Sequence, residues 1–282
     1  MEQFLIGNIP LQIDYCNIPV LSEGKLQLFR HQGPQAADMV TLRCSCQPLE
    51  QFKTQVISPD NRVYGIYSHQ NQPLLIYHWG NLFHGFAVWP HDFSVTFDPK
   101  MYDQTPLRED WFFSICAFHR QLLLRDACVL HASYVDVGGE AVLFTGPSGI
   151  GKSTQAELWT RYAGAQVVNG DRAVLRKQQG RWHVFGYPAC GTSGICINRT
   201  LPLKAIVVLS QAKENHAGRL SPGEKVRALV SATELYPWDH EEINIALNIA
   251  QNLSSEIPIL KLCCRPDREA VELLKNYLEE NT

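Results

Sequence analysis

Several signals that would commit a chain to nucleic acid, membranes or a disulfide framework are missing from these 282 residues. The net charge is −3, and no run of Lys and Arg is interleaved with aromatics, so no nucleic-acid partner is expected. No apolar stretch approaches the ~20 residues that a membrane-spanning helix needs, so no membrane partner is expected either. Met1–Ile6 has no basic region followed by a sustained apolar core, which argues against a secretory leader and makes the cytoplasm the expected location. Of nine cysteines (Cys16, Cys44, Cys46, Cys116, Cys128, Cys190, Cys196, Cys263 and Cys264), none forms a C-x₂-C pair. Their odd number and spacing suit small buried hydrophobes in a reducing compartment better than disulfides or zinc. His69, His78, His84 and His91 follow no helical spacing and read as loop or strand-surface residues. There is no internal repeat and no low-complexity tract. With 45% hydrophobic and 19% charged residues, the chain has the composition of an ordinary globular protein of one large or two modest domains.

What is present is one complete motif. Gly146-Pro147-Ser148-Gly149-Ile150-Gly151-Lys152-Ser153 fits G-x-x-x-x-G-K-[ST], in which glycines turn backbone N–H groups toward nucleotide phosphates. Lys152 is placed to reach the β- and γ-phosphates, and the Ser153 hydroxyl to sit on Mg²⁺. An apolar run, Ala141–Thr145, leads in as a strand, and Thr154–Tyr162 leads out as a helix whose N-terminus faces the phosphates. Gly146, Ser148, Gly149, Ile150, Gly151, Lys152, Ser153 and Thr154 are therefore the expected nucleotide contacts. ATP with Mg²⁺ is the expected ligand. GTP is disfavoured, because N-K-x-D occurs nowhere and the D-x-x-G at Asp136 precedes the loop.

Residues 1–110 read as a β-rich domain of antiparallel strands: Leu26–Phe29, Met39–Leu42, Val63–Tyr67, Leu74–Tyr77 and Phe93–Phe97 are short apolar or alternating runs broken by turn residues. A buried helix over Glu109–Arg125 leads into a second domain, 111–282. There, Val129–Val137 and Glu140–Thr145 flank Gly138-Gly139 as a two-residue hairpin. Its register opposes Val137 to Glu140 and Ala132 to Thr145, which puts His131 opposite Gly146 at the mouth of the loop. A second hairpin turns at Gln179-Gly180. These antiparallel pairs predict a mixed sheet instead of the parallel series usual around such loops. Downstream, Ala205–Ser210 is an apolar strand and Ser221-Pro222-Gly223-Glu224 opens a capped helix running to about Tyr236. A helix over Glu241–Ser254, a strand over Ile257–Cys263 and a helix from Pro266 close the chain.

Val167-Val168-Asn169-Gly170-Asp171 supplies the second element that phosphoryl transfer requires, an apolar stretch ending in a carboxylate. Asp171 stands eighteen residues beyond Ser153, a natural return distance after one helix, and suits metal binding or proton acceptance. His131 suits orientation of Asp171 or proton relay. Arg172, Arg219 and Arg265 stand at element edges as phosphate-clamp candidates, with Arg219, just before the capped helix, preferred.

Together, His131, the Gly-Gly hairpin, GPSGIGKST and Asp171 closing VVNGD resemble the catalytic domain of bacterial HPr kinase/phosphorylase, which shares a structural superfamily with ATP-dependent phosphoenolpyruvate carboxykinase. The resemblance covers about residues 111–282. It implies an α/β fold: a mixed-sheet P-loop domain of the HPr kinase/phosphoenolpyruvate carboxykinase type, here preceded by a smaller β-rich domain. It further implies ATP and Mg²⁺ at the loop, metal binding by Ser153 and Asp171, and catalytic roles for Asp171, His131 and Lys152. A homo-oligomer is left open, since HPr kinases assemble. The sequence also departs from that family. HPr kinases carry two adjacent aspartates where this chain has Gly170-Asp171, and the glycine-rich Gly186–Gly194 replaces their following segment. The expectation is a divergent, ATP-dependent kinase acting on a hydroxyl, that of a serine in a peptide, protein or small molecule. The alternative is a nucleotide-responsive regulatory protein with little catalysis.

Overall fold

The fold is taken from a computed structural model that describes residues 2–16, 20–21, 24–33, 38–52, 55–58, 64–79, 82–101, 107–108, 112–113 and 115–281. They fall into two compact units, Met1–Gln121 and Leu122–Thr282.

The first unit is built on strands β1 (Glu2–Ile6), β2 (Ile9–Asp14), β3 (Val20–Leu21), β4 (Val40–Cys46), β5 (Gln55–Ser58), β6 (Tyr64–His69), β7 (Gln72–Trp79), β8 (Leu82–Trp89), β9 (Ser94–Phe97) and β10 (Leu107–Arg108). Eight form one sheet in the order β1-β2-β4-β9-β8-β7-β6-β5, and β3 pairs with β10 apart from it. The sheet is mixed, contrary to the antiparallel expectation. The β2–β4 and β4–β9 ladders are parallel, because each of these pairs is joined by a long connection and not by a tight turn. Leu26–Phe29 is a 3₁₀ turn and not a strand; it buries Leu26 and Phe29, two positions three apart that a 3₁₀ turn brings to one side. Met39–Leu42, Leu74–Tyr77 and Phe93–Phe97 fall on β4, β7 and β9, while Val63 lies outside the described residues. The His69 ring packs edge-on against Phe52 and Trp89. The side chains of His78 and His84 lie outside the described residues. Cys44, Cys116, Cys128, Cys190 and Cys264 are buried and Cys16 and Cys46 exposed; none of the nine is in a disulfide.

Within the expected helix over Glu109–Arg125, Phe112, Phe113 and Ile115 are helical, and after a break at Ala117 the chain resumes as α1 (Phe118–Leu123). Ala117 and Asp126 both take positive φ, 60° and 54°, which no helix propagates through. Residues 109–111 and 114 lie outside the described residues.

The second unit comprises β11 (Ala127–Val137), β12 (Glu140–Thr145), α2 (Lys152–Ala163), β13 (Gln166–Asn169), β14 (Arg172–Gln178), β15 (Arg181–Phe185), β16 (Thr200–Gln211), β17 (His216–Arg219), α3 (Pro222–Ala232), α4 (His240–Glu256), β18 (Ile259–Cys264) and α5 (Arg268–Asn281). The β11–β12 hairpin has the expected register, Val137 opposite Glu140 and Ala132 opposite Thr145. Its turn takes the left-handed φ of 63° at Gly138 and 92° at Gly139. The β14–β15 hairpin turns where expected, Gln178 opposite Arg181. β12 and β16 are parallel, as are β16 and β18, while β11, β13, β14, β15 and β17 add antiparallel ladders, so this sheet is mixed too.

Helices cover both faces. Along β12, Val142 and Phe144 face the cluster that includes Ala156 and Trp159 of α2 and Val271 and Leu274 of α5. Ala141 and Leu143 face the opposite cluster, with Leu229 of α3 and Ile249 and Leu253 of α4. This period-2 alternation with apolar residues on both sides is why β12 reads as one unbroken apolar run. α3 opens with a full capping box: the Ser221 hydroxyl accepts from Glu224 N and the Glu224 carboxylate accepts from Ser221 N. It ends at Ala232, short of the expected Tyr236, because Thr233 is extended and bridges Leu130 of β11.

The phosphate-loop strand is thus clamped from two layers. Leu143→Ala should cost about 2–5 kcal/mol through lost burial and a residual cavity, measured by urea unfolding; a loss under about 1 kcal/mol would contradict a close-packed Leu143.

Candidate active site

β12 ends at Thr145, and the chain enters a loop whose glycines take φ of 144° at Gly146, 76° at Gly149 and 111° at Gly151. Only glycine adopts these angles readily, which is why they recur at these positions. Lys152 curls back over the loop, its ammonium donating to the carbonyls of Gly146 (3.1 Å) and Pro147 (3.2 Å). Burial pushes its pKa down, and the Asp171 carboxylate opposes that shift. A cleft of about 380 Å³ opens beside Gly149, Ile150, Gly151 and Thr154, walled by Leu209, Gln211, Cys264 and Arg265. A larger groove of about 670 Å³ between α3 and α4 contains none of the candidate residues.

Asp171 is placed by the turn between β13 and β14. Asn169, fully buried, accepts from the backbone N–H groups of Asp171 and Arg172, both at 2.9 Å. Its amide donates to the carbonyls of Tyr187 (2.8 Å) and Ala189 (3.2 Å). β11 straps the other side: Ala132 N donates to Asp171 O and Ser133 Oγ to Gly170 O at 2.8 Å. Ser153 Oγ reaches the same Gly170 carbonyl at 3.5 Å, so the phosphate-loop hydroxyl and this turn adjoin.

His131 Nε2 lies 3.0 Å from Asp171 Oδ1, and Arg172 Nη1 3.0 Å from Asp171 Oδ2. Arg172 Nε in turn lies 3.3 Å from Glu234 Oε2. Burial alone would raise the Asp171 pKa; the hydrogen bond from His131 and the charges of Arg172 and Lys152 outweigh it and hold the carboxyl below its usual range. The hydroxyl of Thr145, at the end of β12, donates to His131 O (2.9 Å) and ties the histidine strand to the loop strand.

The structure therefore brings together His131, Lys152, Ser153 and Asp171. Arg219 lies elsewhere. It ends β17 opposite Leu260, four residues and ~13 Å along β18 from Cys264 at the loop end. It borders a different cleft, with Leu220 and Lys225. Arg265 borders the cleft beside the loop and pairs with Asp267 and Glu269. Asp136, of the D-x-x-G, is a turn residue: its carboxylate accepts from Gly139 N (2.8 Å) and pairs with Arg199 at 2.6 Å. Sequence reasoning missed Asn169, although an Asn two residues before a strand-end Asp is a recognisable turn signal. It also missed Glu234, which nothing local announces.

Gly170 is a matter of packing. A Cβ there would lie 2.1 Å from Ser193 Oγ and 2.4 Å from Ser193 Cβ. A Cβ on Gly191 would lie 2.8 Å from Asp171 Cγ. The loop from Gly186 to Gly194 thus rests on Gly170 through the Ser193 side chain and on the Asp171 side chain through Gly191, and a side chain at position 170 would have to displace Ser193.

The chain is 26% identical over 170 residues to the HPr kinase/phosphorylase of Exiguobacterium sp., covering 57% of this chain and 51% of the relative. It is 26% identical over 157 residues to that of Halalkalibacterium halodurans, covering 54% and 47%. The chain spans about half the length of the curated relatives it matches. A solved structure, the Hpr(Ser) kinase/phosphatase from Coxiella burnetii, is 15% identical and covers 45% of this chain and 92% of its own, with a TM-score of 0.24, too low to carry weight. The chain is therefore a divergent relative of HPr kinase/phosphorylase. The profile of the family described as "SynChlorMet cassette protein ScmC" matches residues 108–265, more than half of the chain, and the protein belongs to that family.

Two predictions follow from the packing and the charges. Gly170→Ala should displace the 186–194 loop, read as new proteolytic cleavage within it and a lowered Tm; an unchanged digestion pattern would contradict the close contact. Because the Asp171 pKa is depressed by folding, its ion pairs stabilise the fold above the unfolded value of about 3.9 and are lost as pH falls through the lower folded value. The stability difference between wild type and Asp171→Asn should be constant above about pH 5 and shrink below pH 4, measured by urea titration. A difference that grows on acidification would reverse the assigned sign.

Proposed function

We propose that the protein is an ATP-dependent kinase that transfers the γ-phosphate to a hydroxyl, that of a serine in a peptide, protein or small molecule, and that residues 111–282 form the catalytic domain. The observation that carries the reading is the convergence of Lys152, Ser153, Asp171 and His131 around the Gly146–Ser153 loop.

The residues fit a magnesium nucleotide. Three left-handed glycines curve the loop, and the Lys152 ammonium is already aimed at its carbonyls, ready to exchange them for phosphate oxygens. Among the described residues no group of three or more His, Cys, Asp or Glu forms a metal cage. Mg²⁺ bound with a nucleotide is held by one or two protein oxygens together with phosphate oxygens and water. Ser153 and Asp171 would hold it, and Mg²⁺ when bound supplies charge neutralisation for the β- and γ-phosphates.

The roles of the chain's own groups follow from their surroundings. Lys152 is weakly solvated, so its charge acts on phosphate at low screening. A depressed Asp171 is a weak base, but phosphoryl transfer passes through a loose transition state in which the proton leaves late, so a weak base suffices. His131 fixes the carboxylate's orientation through Nε2. Cytoplasmic location and a homo-oligomeric state are consistent with this reading.

Lys152→Ala should lower transfer from labelled ATP to seryl acceptors by about 10²–10³-fold, with unchanged far-UV circular dichroism; undiminished transfer would overturn the reading. A second reading, a nucleotide-responsive regulator, is favoured by the closure of position 170, which leaves one carboxylate where the resemblance expects two. Tight ATP binding by calorimetry with no transfer and no ADP release would select it.

A further inference from the structure

The 186–194 loop places a hydroxyl of the chain itself beside the Gly170-Asp171 turn. Ser193 Oγ lies over Gly170, close enough to exclude a Cβ there, and the Gly170 carbonyl is the group that Ser153 of the phosphate loop also addresses. Two residues earlier, the backbone of Gly191 lies against the Asp171 carboxylate. Gly191 and Gly194 take φ of 57° and 67°, so the loop makes its approach through backbone, with no side chain at either position to hold Ser193 away. Ser193 is exposed. Its hydroxyl donates to Cys190 O (2.7 Å) and accepts from Ile195 N (3.3 Å), both within its own loop. Rotation about χ1 frees it without loosening a contact to the sheet.

We propose that Ser193 is a phosphoryl acceptor and that the chain, charged with ATP and Mg²⁺, phosphorylates itself there. This rests on the kinase reading above. A bond forms between Ser193 Oγ and the γ-phosphorus as the bond from that phosphorus to the β–γ bridging oxygen breaks. ADP leaves with the bridging oxygen, and the hydroxyl proton passes to the Asp171 carboxylate and from there to water. The phosphoserine then carries about two negative charges beside Asp171. Like-charge repulsion favours movement of the loop off the Gly170-Asp171 turn.

The test is incubation of the full chain with ATP and Mg²⁺, followed by mass spectrometry of the tryptic peptide Trp182–Arg199, which contains both Thr192 and Ser193. The expected result is one phosphate on Ser193, formed at a rate independent of protein concentration. It should be retained in Thr192→Ala and absent from Ser193→Ala and Lys152→Ala. Phosphate on Thr192 instead, or a rate rising with protein concentration, overturns the in-chain geometry. Nucleotide binding by calorimetry with Ser193 unmodified overturns self-transfer; phosphorylation of an added seryl acceptor in that same sample leaves the kinase reading standing. Absence of both nucleotide binding and ADP formation overturns the kinase reading and this proposal with it.

Discussion

The four hydrogen bonds of Asn169 are the constraint on which the site depends. An amide side chain offers two donors and two lone pairs, and here all are used in a position sealed from water. The carbonyl end fixes the backbone of Asp171 and Arg172, which aims the carboxylate. The amino end fixes Tyr187 and Ala189, which brings the following loop down onto Gly170. One side chain thereby couples the acid to the segment that covers its neighbour. Its loss would strand several buried backbone groups at once, a cost larger than that of a single hydrogen bond.

Around that turn the charges are arranged in sequence: His131, Asp171, Arg172, Glu234. Each inner member has a partner on both sides, which holds the carboxylate and guanidinium in fixed positions. Preorganisation of this kind is where enzymes gain most of their electrostatic advantage. It is also why the strand framework matters. β11 supplies His131 and the straps to Gly170 and Asp171, β12 supplies the loop, and Thr145 joins the two. Helices packed on both faces of β12 leave that framework little freedom to shear.

The parts of this arrangement legible in sequence were those set by local rules. Gly138-Gly139 fixed a hairpin register by counting, and the count alone carried His131 to the loop mouth. The glycine pattern marked the loop, and a capping box marked the start of α3. What was not legible depended on partners far along the chain. The parallel ladders of β4 cannot be inferred from alternation, which reports faces and not neighbours. The helix over Glu109–Arg125 had the right apolar content, yet positive φ at Ala117 interrupts it after Phe112, Phe113 and Ile115, and positive φ at Asp126 follows the six residues of α1. Glu234 reaches Arg172 from beyond the end of α3, sixty-two positions away. Arg219 looked well placed because it precedes a capped helix, but a helix start says nothing about which end of the sheet it occupies.

Gly170 shows how a missing side chain acquires a structural reason. Beside the resemblance, which implies an aspartate at this position, Gly170 would read as simple loss of a side chain. The contact with Ser193 makes it a requirement, because the loop held by Asn169 occupies the volume that any side chain at 170 would need. Restoring a carboxylate there would mean moving the loop, and moving the loop would expose the buried amide that anchors it. The two features are therefore locked together. Whatever chemistry this site performs must run on one carboxylate supported by His131 and Arg172. The loop that closes off the second carboxylate puts a serine hydroxyl in its place.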